Sequence, residues 1–382
     1  MTKLKQRLFW LIAITILSSL LYFGQPILWP SGMSDSGVYS WVMDYFRGQP
    51  EKILEFGQGD ASSLGTRPLL PLLALPFSAF FSDYTSMAIV NLLYWIGTVI
   101  LLYLLVKHLY TEKTAFITAL LYSASLVPIA YNSRPLTDCG SYFFFILLIY
   151  YVEVYVRSYG AKELAWLGLV FALALLHKES SFFALVYVGV DLLYRYSILE
   201  AVKKGIGVGV TFLLALIPVT LWKNATGASW FVGRNRQASP IPLLVGSIPA
   251  FLFRTFITFH IGWIFAIYGI WQDSKRRKYY IKCVITLILP VLLGWLTAPP
   301  YSPRFAHFLF PLVLPAFAYG LEKSANGFRQ PWLRKNWVWI VIIIYYAISY
   351  FGASLFPSQD INAQTNLVQS VWEEFKNKWL SF

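Results

Sequence analysis

Apolar residues run along this chain in continuous stretches and do not alternate with polar ones. The stretches lie at about 9–28, 85–106, 114–131, 139–156, 163–177, 180–194, 206–222, 248–271, 280–297, 305–321 and 337–356. A helix needs about 20 residues to cross a hydrocarbon core. The pattern therefore predicts about eleven spans, with a margin of one or two because 163–177 and 180–194 are short. Unbroken apolar runs exclude an outer-membrane barrel, whose strands alternate. The expected fold class is all-α, a polytopic helical membrane protein. The first run follows Lys3, Lys5 and Arg7, as a signal peptide would. It is expected to stay as a helix, since Trp29-Pro30 follows it and no small-x-small cleavage site does.

Polar residues gather in two long segments. Residues 29–83 hold Asp35, Asp44, Arg47, Glu51, Lys52, Glu55, Asp60 and Arg67. Within this segment Val38, Trp41, Val42 and Tyr45 recur at helical spacing. That spacing predicts an amphipathic helix over 36–47, lying along the membrane. Residues 68–81 are apolar but interrupted by Pro71 and Pro76, which predicts a second interfacial or re-entrant helix. Asp83 is expected to cap the next span. The second segment, 223–242, carries Arg234, Arg236 and the triplet Asn224-Ala225-Thr226, a glycosylation sequon in form only.

Composition narrows the class further. Of 382 residues, 57% are hydrophobic and 13% charged, against about 25% charged in soluble domains. Such a chain cannot cover a water-facing surface, so an ordinary soluble enzyme and a disordered protein are both excluded. The formal net charge is +13. Its basic residues fall in alternate connections: Lys107 and Lys113; Arg157 and Lys162; Arg195, Lys203 and Lys204; Lys275 to Lys278; Lys323, Arg329, Arg334 and Lys335. The positive-inside bias then puts these loops and the N-terminus in the cytoplasm, and the C-terminal tail outside. Topology explains the basic residues, so no nucleic acid is expected as a partner. Cys139 and Cys283 fall at opposite helix ends, too far apart for a disulfide. Glu153 and Asp191 lie near inner helix ends, where local basic residues are expected to pair with them. His260 is expected to be a packing histidine inside its span.

The other side collects the chemistry. Arg134 and Asp138 flank one span, and His177-Lys178-Glu179 sits in a tight turn. Pro299-Pro300-Tyr301-Ser302-Pro303-Arg304 leads into a late span, followed by His307. Ionisable groups at membrane depth are costly and mark functional cavities. The chain has no P-loop, G-x-G-x-x-G, H-E-x-x-H or G-x-S-x-G motif. What remains is carboxylates beside Arg and Lys. Carboxylates deprotonate acceptors or hold divalent metals. Arg and Lys hold phosphate oxygens. Together they suit transfer from a lipid-linked phosphate.

The order of these features resembles the GT-C superfamily of polytopic glycosyltransferases. These include protein O-mannosyltransferases and the bacterial transferases that put aminoarabinose on lipid A. The resemblance covers roughly residues 8–325. It rests on Asp35 in Ser34-Asp35-Ser36-Gly37-Val38-Tyr39, on Arg67-Pro68-Leu69-Leu70-Pro71 and on Arg134-Pro135-Leu136-Thr137-Asp138. His177-Lys178-Glu179 and Tyr301-Ser302-Pro303-Arg304-Phe305 complete it. The resemblance implies an inverting transfer of sugar from a polyprenyl-phosphate donor, at the extracytoplasmic membrane face. That face is the cell surface, or the lumen of the endoplasmic reticulum in a eukaryote. It implies one catalytic module over 1–325, including the outer loop 29–83, with 326–382 forming the last span and a short outer tail. Membrane lipids are expected partners; the acceptor, whether lipid, glycan or protein, stays open. Many relatives carry two adjacent acids in the first loop, whereas Ser36 follows Asp35 here. Metal dependence is therefore open, and no cofactor is assigned beyond the option of a divalent ion. Many relatives also carry a soluble C-terminal domain, which this chain would replace with a partner protein or do without.

On this reading Asp35 and Asp138 are the catalytic candidates. Arg67, Arg134, Lys178 and Arg304 are the phosphate ligands, and Glu179, His307 and Tyr301 are further substrate contacts. Simpler readings stand beside these. Asp35 and Asp138 could each cap a helix. Asp44 could lie on a solvated helix face, and Lys178 could pair with Glu179. Two functional alternatives also remain, a lipid or sugar transporter and a non-catalytic scaffold subunit. A transporter would place its charges near the midplane in repeated halves. Cysteine-accessibility labelling checks the topology. Positions 47 and 67 and the C-terminal tail are expected to label from outside, and 275–278 from the cytoplasm. Outside labelling of 275–278 would sink the scheme.

Overall fold

The structure is a computed structural model and describes residues 3–21, 35–51, 53, 67–132, 135–226, 255–289 and 308–355. Every regular element among them is helical. In chain order these are α1 (Lys3–Leu21), α2 (Asp35–Phe46), α3 (Leu69–Ser78), α4 (Asp83–Leu109), α5 (Glu112–Ser123), α6 (Leu126–Tyr131) and α7 (Asp138–Val154). They continue as α8 (Ala161–His177), α9 (Ala184–Arg195), α10 (Ile198–Thr226), α11 (Gly262–Gln272), α12 (Arg277–Leu289), α13 (Phe310–Ala325) and α14 (Pro331–Leu355). With no water in a bilayer core, helices satisfy every backbone group internally. Among the described residues, α4 and α10 are each long and apolar enough to cross a membrane alone. Among the described residues the chain adopts the polytopic, all-helical architecture expected from the sequence.

Several expected spans prove to be interrupted. The run 114–131 divides into α5 and α6 around Ala124 and Ser125. Ser125 bonds the Leu121 carbonyl, and Pro128 follows it inside α6. The 248–271 run breaks at His260, which sits at φ 30° between a helical turn at 255–259 and α11. Its Nε2 meets Ser349 Oγ at 2.9 Å, so the histidine braces α14 from the break. The 180–194 run begins as a 3-10 turn over Glu179–Phe183 before α9.

Helix α2 does not lie free on a membrane surface. Tyr39 and Met43 enter the main core, while Val38 and Val42 pack with Ile53 under Trp41, Tyr45 and Trp222. Asp44 is not simply solvated, because Arg47 bonds it at 3.1 Å and also pairs with Asp83 at 2.5 Å. Asp83 is therefore an anchor for α2. The cap of α4 is Ser82, whose side chain accepts from Thr85 N–H. Helix α10 faces outward along much of its length, with Leu213 and Leu221 among its exposed residues, as a lipid-facing helix would.

One end of the bundle is closed by ion pairs. Arg7 reaches Glu112 across α1 and α5 at 3.0 Å. Arg276 bonds Asp273 and the Leu109 carbonyl and lies 3.7 Å from the centre of the Tyr110 ring. Lys282 on α12 pairs with both Glu153 on α7 and Asp191 on α9. Arg195 holds Asp191 at 2.6 Å, and Tyr159 donates to the same carboxylate at 2.8 Å. The expected local pairing is present for Asp191, through Arg195, whereas Glu153 is met by Lys282 from a distant helix, which joins the two acids. These are the basic connections of the charge pattern, gathered at one end.

Helices α11 and α13 approach until their backbones touch. A Cβ placed at Gly320 would lie 2.0 Å from the Phe265 carbonyl oxygen, and one at Gly269 would lie 2.0 Å from that of Ala316. Small residues permit such contact, which is how apolar helices gain packing energy where hydrophobic burial drives little. Gly205 on α10 has open space around it. Gly320→Leu is therefore expected to destabilise the fold by about 1–3 kcal/mol or more, while Gly205→Leu leaves it unchanged. Thermal unfolding in detergent checks this, and equal melting of the two variants would refute the close approach.

Candidate functional site

The opposite end of the bundle holds a second set of charges, fixed by four elements. Asp138 is the first residue of α7, and Lys178 is the residue that ends α8. Lys178 Nζ meets Asp138 Oδ1 at 2.6 Å, with side chains only 9% and 4% exposed. Thr137 is the N-cap residue but makes no side-chain cap bond. The carboxylate of Asp138 is thus committed to an ion pair across helices, which goes beyond the capping role. Lys178 likewise reaches a different helix.

Local sequence explains why these two groups meet. Asn91 on α4 donates from Nδ2 to the Leu136 carbonyl at 2.7 Å, and Cys139 Sγ donates to the Asn91 carbonyl at 3.1 Å. These bonds pin the residues on either side of Asp138. Gly140 leaves room for His177, since a Cβ there would lie 2.0 Å from Nε2 of that ring. The end of α8 can therefore close onto α7. The His177 ring lies edge-on to Tyr94 at 5.0 Å and is fully buried. Ser141 and Ser180 are 2.9 Å apart and tie the 3-10 turn to α7.

Arg67 arrives from the residues before α3. It is 9% exposed. Its Nη1 donates to Tyr39 Oη at 3.0 Å and to Thr137 Oγ1 at 3.5 Å, and those two hydroxyls are 3.1 Å apart. The two hydroxyls orient the guanidinium. Thr137, which Arg67 contacts, directly precedes Asp138, and Asp138 pairs with Lys178, so the three charged residues form one cluster.

The structure thus brings Arg67, Asp138 and Lys178 together. Asp35 opens α2 one turn before Tyr39, and Glu179 opens the 3-10 turn next to Lys178. Arg134, Tyr301, Arg304 and His307 lie outside the described residues. Phe308 packs on Phe145 of α7 and Phe183 of the 3-10 turn, at 4.9 and 5.2 Å. Sequence reasoning did not assign Tyr39, Thr137, Asn91 or His177. Tyr39 was legible in principle, since it falls one turn after Asp35. Asn91 carried a signal too, as an amide in an otherwise apolar span. Among the described residues, no group of three or more His, Cys, Asp and Glu converges as a metal site would.

Among the described residues the cluster brings two cations and one carboxylate to the end of the bundle, backed by hydroxyls. It can hold an anionic group and present a carboxylate beside it. The pair is also structural. Removing one partner of a buried ion pair costs about 3–5 kcal/mol, while replacing both by apolar residues is often neutral. Lys178→Met and Asp138→Leu are each expected to lower unfolding stability by about that amount, and the double variant to recover most of it. Detergent-solubilised melting reads this out. A double variant as unstable as both singles combined would show that the charges are not coupled.

Comparison with known proteins bears on the arrangement. Residues 68–222, less than half of the chain, match the family described as dolichyl-phosphate-mannose-protein mannosyltransferase. That segment contains Asp138, Lys178 and Glu179, and begins one residue after Arg67. No curated protein matches the chain in sequence. Solved structures match it in fold. ArnT from Cupriavidus metallidurans, in the apo state, superposes with a TM-score of 0.58 at 10% identity, over 95% of this chain and 76% of ArnT. ArnT bound to undecaprenyl phosphate gives 0.51 at 11% identity, over 96% and 77%. The oligosaccharyltransferase of Archaeoglobus fulgidus, tethered with an acceptor peptide, gives 0.52 at 12% identity, over 91% of this chain. This chain spans 55% of that enzyme's length. The helical fold of this chain is that of ArnT and of the archaeal oligosaccharyltransferase, in line with the GT-C resemblance of its sequence.

Proposed function

We propose that the chain is a glycosyltransferase that moves a sugar from a polyprenyl-phosphate donor to an acceptor. The transfer takes place at the end of the bundle where Arg67, Asp138 and Lys178 meet. The observation that carries this reading is the buried Lys178–Asp138 pair with Arg67 beside it, built by α7, α8 and the approach to α3. Undecaprenyl phosphate in ArnT, and dolichol-phosphate with an inhibitory peptide in the archaeal oligosaccharyltransferase, support a lipid phosphate as the ligand class. On this reading the module over 1–325 is catalytic and the active face is extracytoplasmic, opposite the basic end.

Each residue then has a role. Lys178 and Arg67 hold the carrier phosphate and stabilise it as it leaves with growing charge. Arg304, four residues before Phe308, joins them with its planar fork, and Arg134 lies on the approach to α7. Asp35 is the general base that takes the acceptor's proton, on the face of the anomeric carbon opposite the leaving phosphate. Displacement from that face inverts the configuration. Asp138 orients the acceptor, with Glu179, Tyr301 and His307 as further contacts. In the metal-dependent form of this reading, Asp35 and Asp138 share a divalent ion, and EDTA would stop turnover until a divalent ion is restored.

Asp35→Asn keeps the size and the capping ability of the side chain but removes the base. It is expected to leave expression and donor binding intact while lowering turnover by roughly 10²–10⁴-fold. Arg304→Ala is expected to weaken binding of the lipid phosphate about tenfold or more, and Arg304→Lys to recover part of it. Both are measured in membranes supplied with a panel of polyprenyl-phosphate sugars. Normal turnover by Asp35→Asn rejects Asp35 as the base. Normal carrier binding by Arg304→Ala rejects that residue as a phosphate ligand.

A further inference from the structure

The basic end of the bundle carries a cavity that the proposed transfer does not use. It has a volume of about 390 Å³ and is lined by Tyr159, Leu164, Glu200, Lys203, Lys204 and Gly207. It lies between the start of α8 and the first turns of α10. Its frame is built. Tyr159 sits at φ 54° in the turn between α7 and α8. The backbone N–H groups of Arg157, Ser158 and Gly160 in that turn all donate to the Glu163 carboxylate. Lys204 is oriented on two sides, donating to the Ser158 carbonyl at 2.5 Å and lying 4.7 Å from the centre of the Tyr196 ring. Lys203 is exposed beside it.

The surface next to the cavity is apolar. Ile198 and Leu199 are 78% and 66% exposed, and Val202 and Ile206 continue the same open side of α10. That side runs on through Val210, Leu213, Ile217 and Leu221, all exposed, and an apolar side that starts at a basic recess matches a molecule apolar along its length and anionic at its tip. Two lysines against one glutamate leave the lining with one net positive charge. A phosphodiester carries one negative charge. We propose that this cavity binds the headgroup of an anionic phospholipid from the leaflet at the basic end. Its phosphate lies on Lys203 and Lys204, and its acyl chains lie along the exposed side of α10. The occupant ties the turn 155–160 to α10. Through Tyr159 it bears on Asp191 and the Lys282 pairs that close this end.

Native mass spectrometry of the whole chain in detergent tests the proposal, with phosphatidylglycerol, phosphatidylcholine and inorganic phosphate as probes. Phosphatidylglycerol is expected to bind at least tenfold more tightly than phosphatidylcholine. Lys203→Gln with Lys204→Gln should weaken it by about 30-fold, leaving phosphatidylcholine unchanged. Lys275→Gln with Lys278→Gln removes the same charge from the same end outside the cavity and should have no effect. Gly207→Leu keeps both lysines but fills the space and should weaken phosphatidylglycerol as the lysine variant does. Unchanged binding in either cavity variant overturns the proposal, as does an equal loss in the Lys275 and Lys278 control. Displacement of the lipid by low-millimolar phosphate would instead assign a free-anion site and overturn the lipid reading.

Discussion

Two charges that cannot leave the protein interior hold one end of this bundle together. The ammonium of Lys178 and the carboxylate of Asp138 are both buried almost completely, 2.6 Å apart, where either one alone would be untenable. The contact can form only if the end of α8 comes down on the first turn of α7. Gly140 permits that approach by leaving space for the His177 ring. Asn91 fixes the backbone on both sides of Asp138. At the far end of the same helix, Glu153 pairs with Lys282. Asp138 and Glu153 are fifteen residues apart, about 22 Å along a helix axis, somewhat less than the hydrocarbon thickness of a bilayer. Helix α7 thus carries an ionic clamp near each end and an apolar shaft between.

The two clamps differ in kind, and the difference separates scaffold from site. At the basic end Asp191 answers to Lys282, Arg195 and Tyr159 together, and Tyr187 adds a bond to Glu153 at 2.6 Å. Such cross-linking fixes α7, α9 and α12 in one register. At the other end Arg67 is steered by the hydroxyls of Tyr39 and Thr137. Those bonds set the plane of its guanidinium, and a planar fork held in one orientation suits the oxygens of an anion. The Arg47–Asp83 pair bears on the same end indirectly, because it holds α2, and with it Tyr39, against the start of α4.

Much of this was legible in the sequence because it follows from periodicity and charge. Apolar runs located most of the helices, and the basic bias grouped the loops that do gather at one end. The Arg67, Asp138 and Lys178 motifs named residues that meet in space although 40 to 111 positions separate them along the chain. Breaks inside apolar runs were not legible. Nothing in the hydropathy of 114–131 or 248–271 shows where Ser125 or His260 interrupts a helix, since a polar side chain can bond its own backbone within a span. The role of Asp83 was misread for a related reason. A carboxylate at a helix start looks like a cap, and only the fold reveals that Arg47 arrives to claim it. Tyr39 and Thr137 escaped because hydroxyls in apolar surroundings carry no pattern of their own. They become informative only once Arg67 is seen between them.

The closed Lys178–Asp138 pair constrains how the proposed transfer would begin. A buried ammonium cannot give up its carboxylate to solvent, so it gives it up only to another anion delivered at the same depth. A lipid-linked phosphate is such an anion, because its tail lies in the bilayer and sets its level. As its oxygens take up Lys178 and Arg67, the hold on Asp138 weakens and that carboxylate gains freedom to accept a hydrogen bond from elsewhere. An acceptor hydroxyl or amine is a suitable donor for that bond. Donor before acceptor then follows from electrostatics, without a moving lid. Until the donor's phosphate arrives, Asp138 neutralises Lys178, and the bundle end carries no uncompensated charge from that pair.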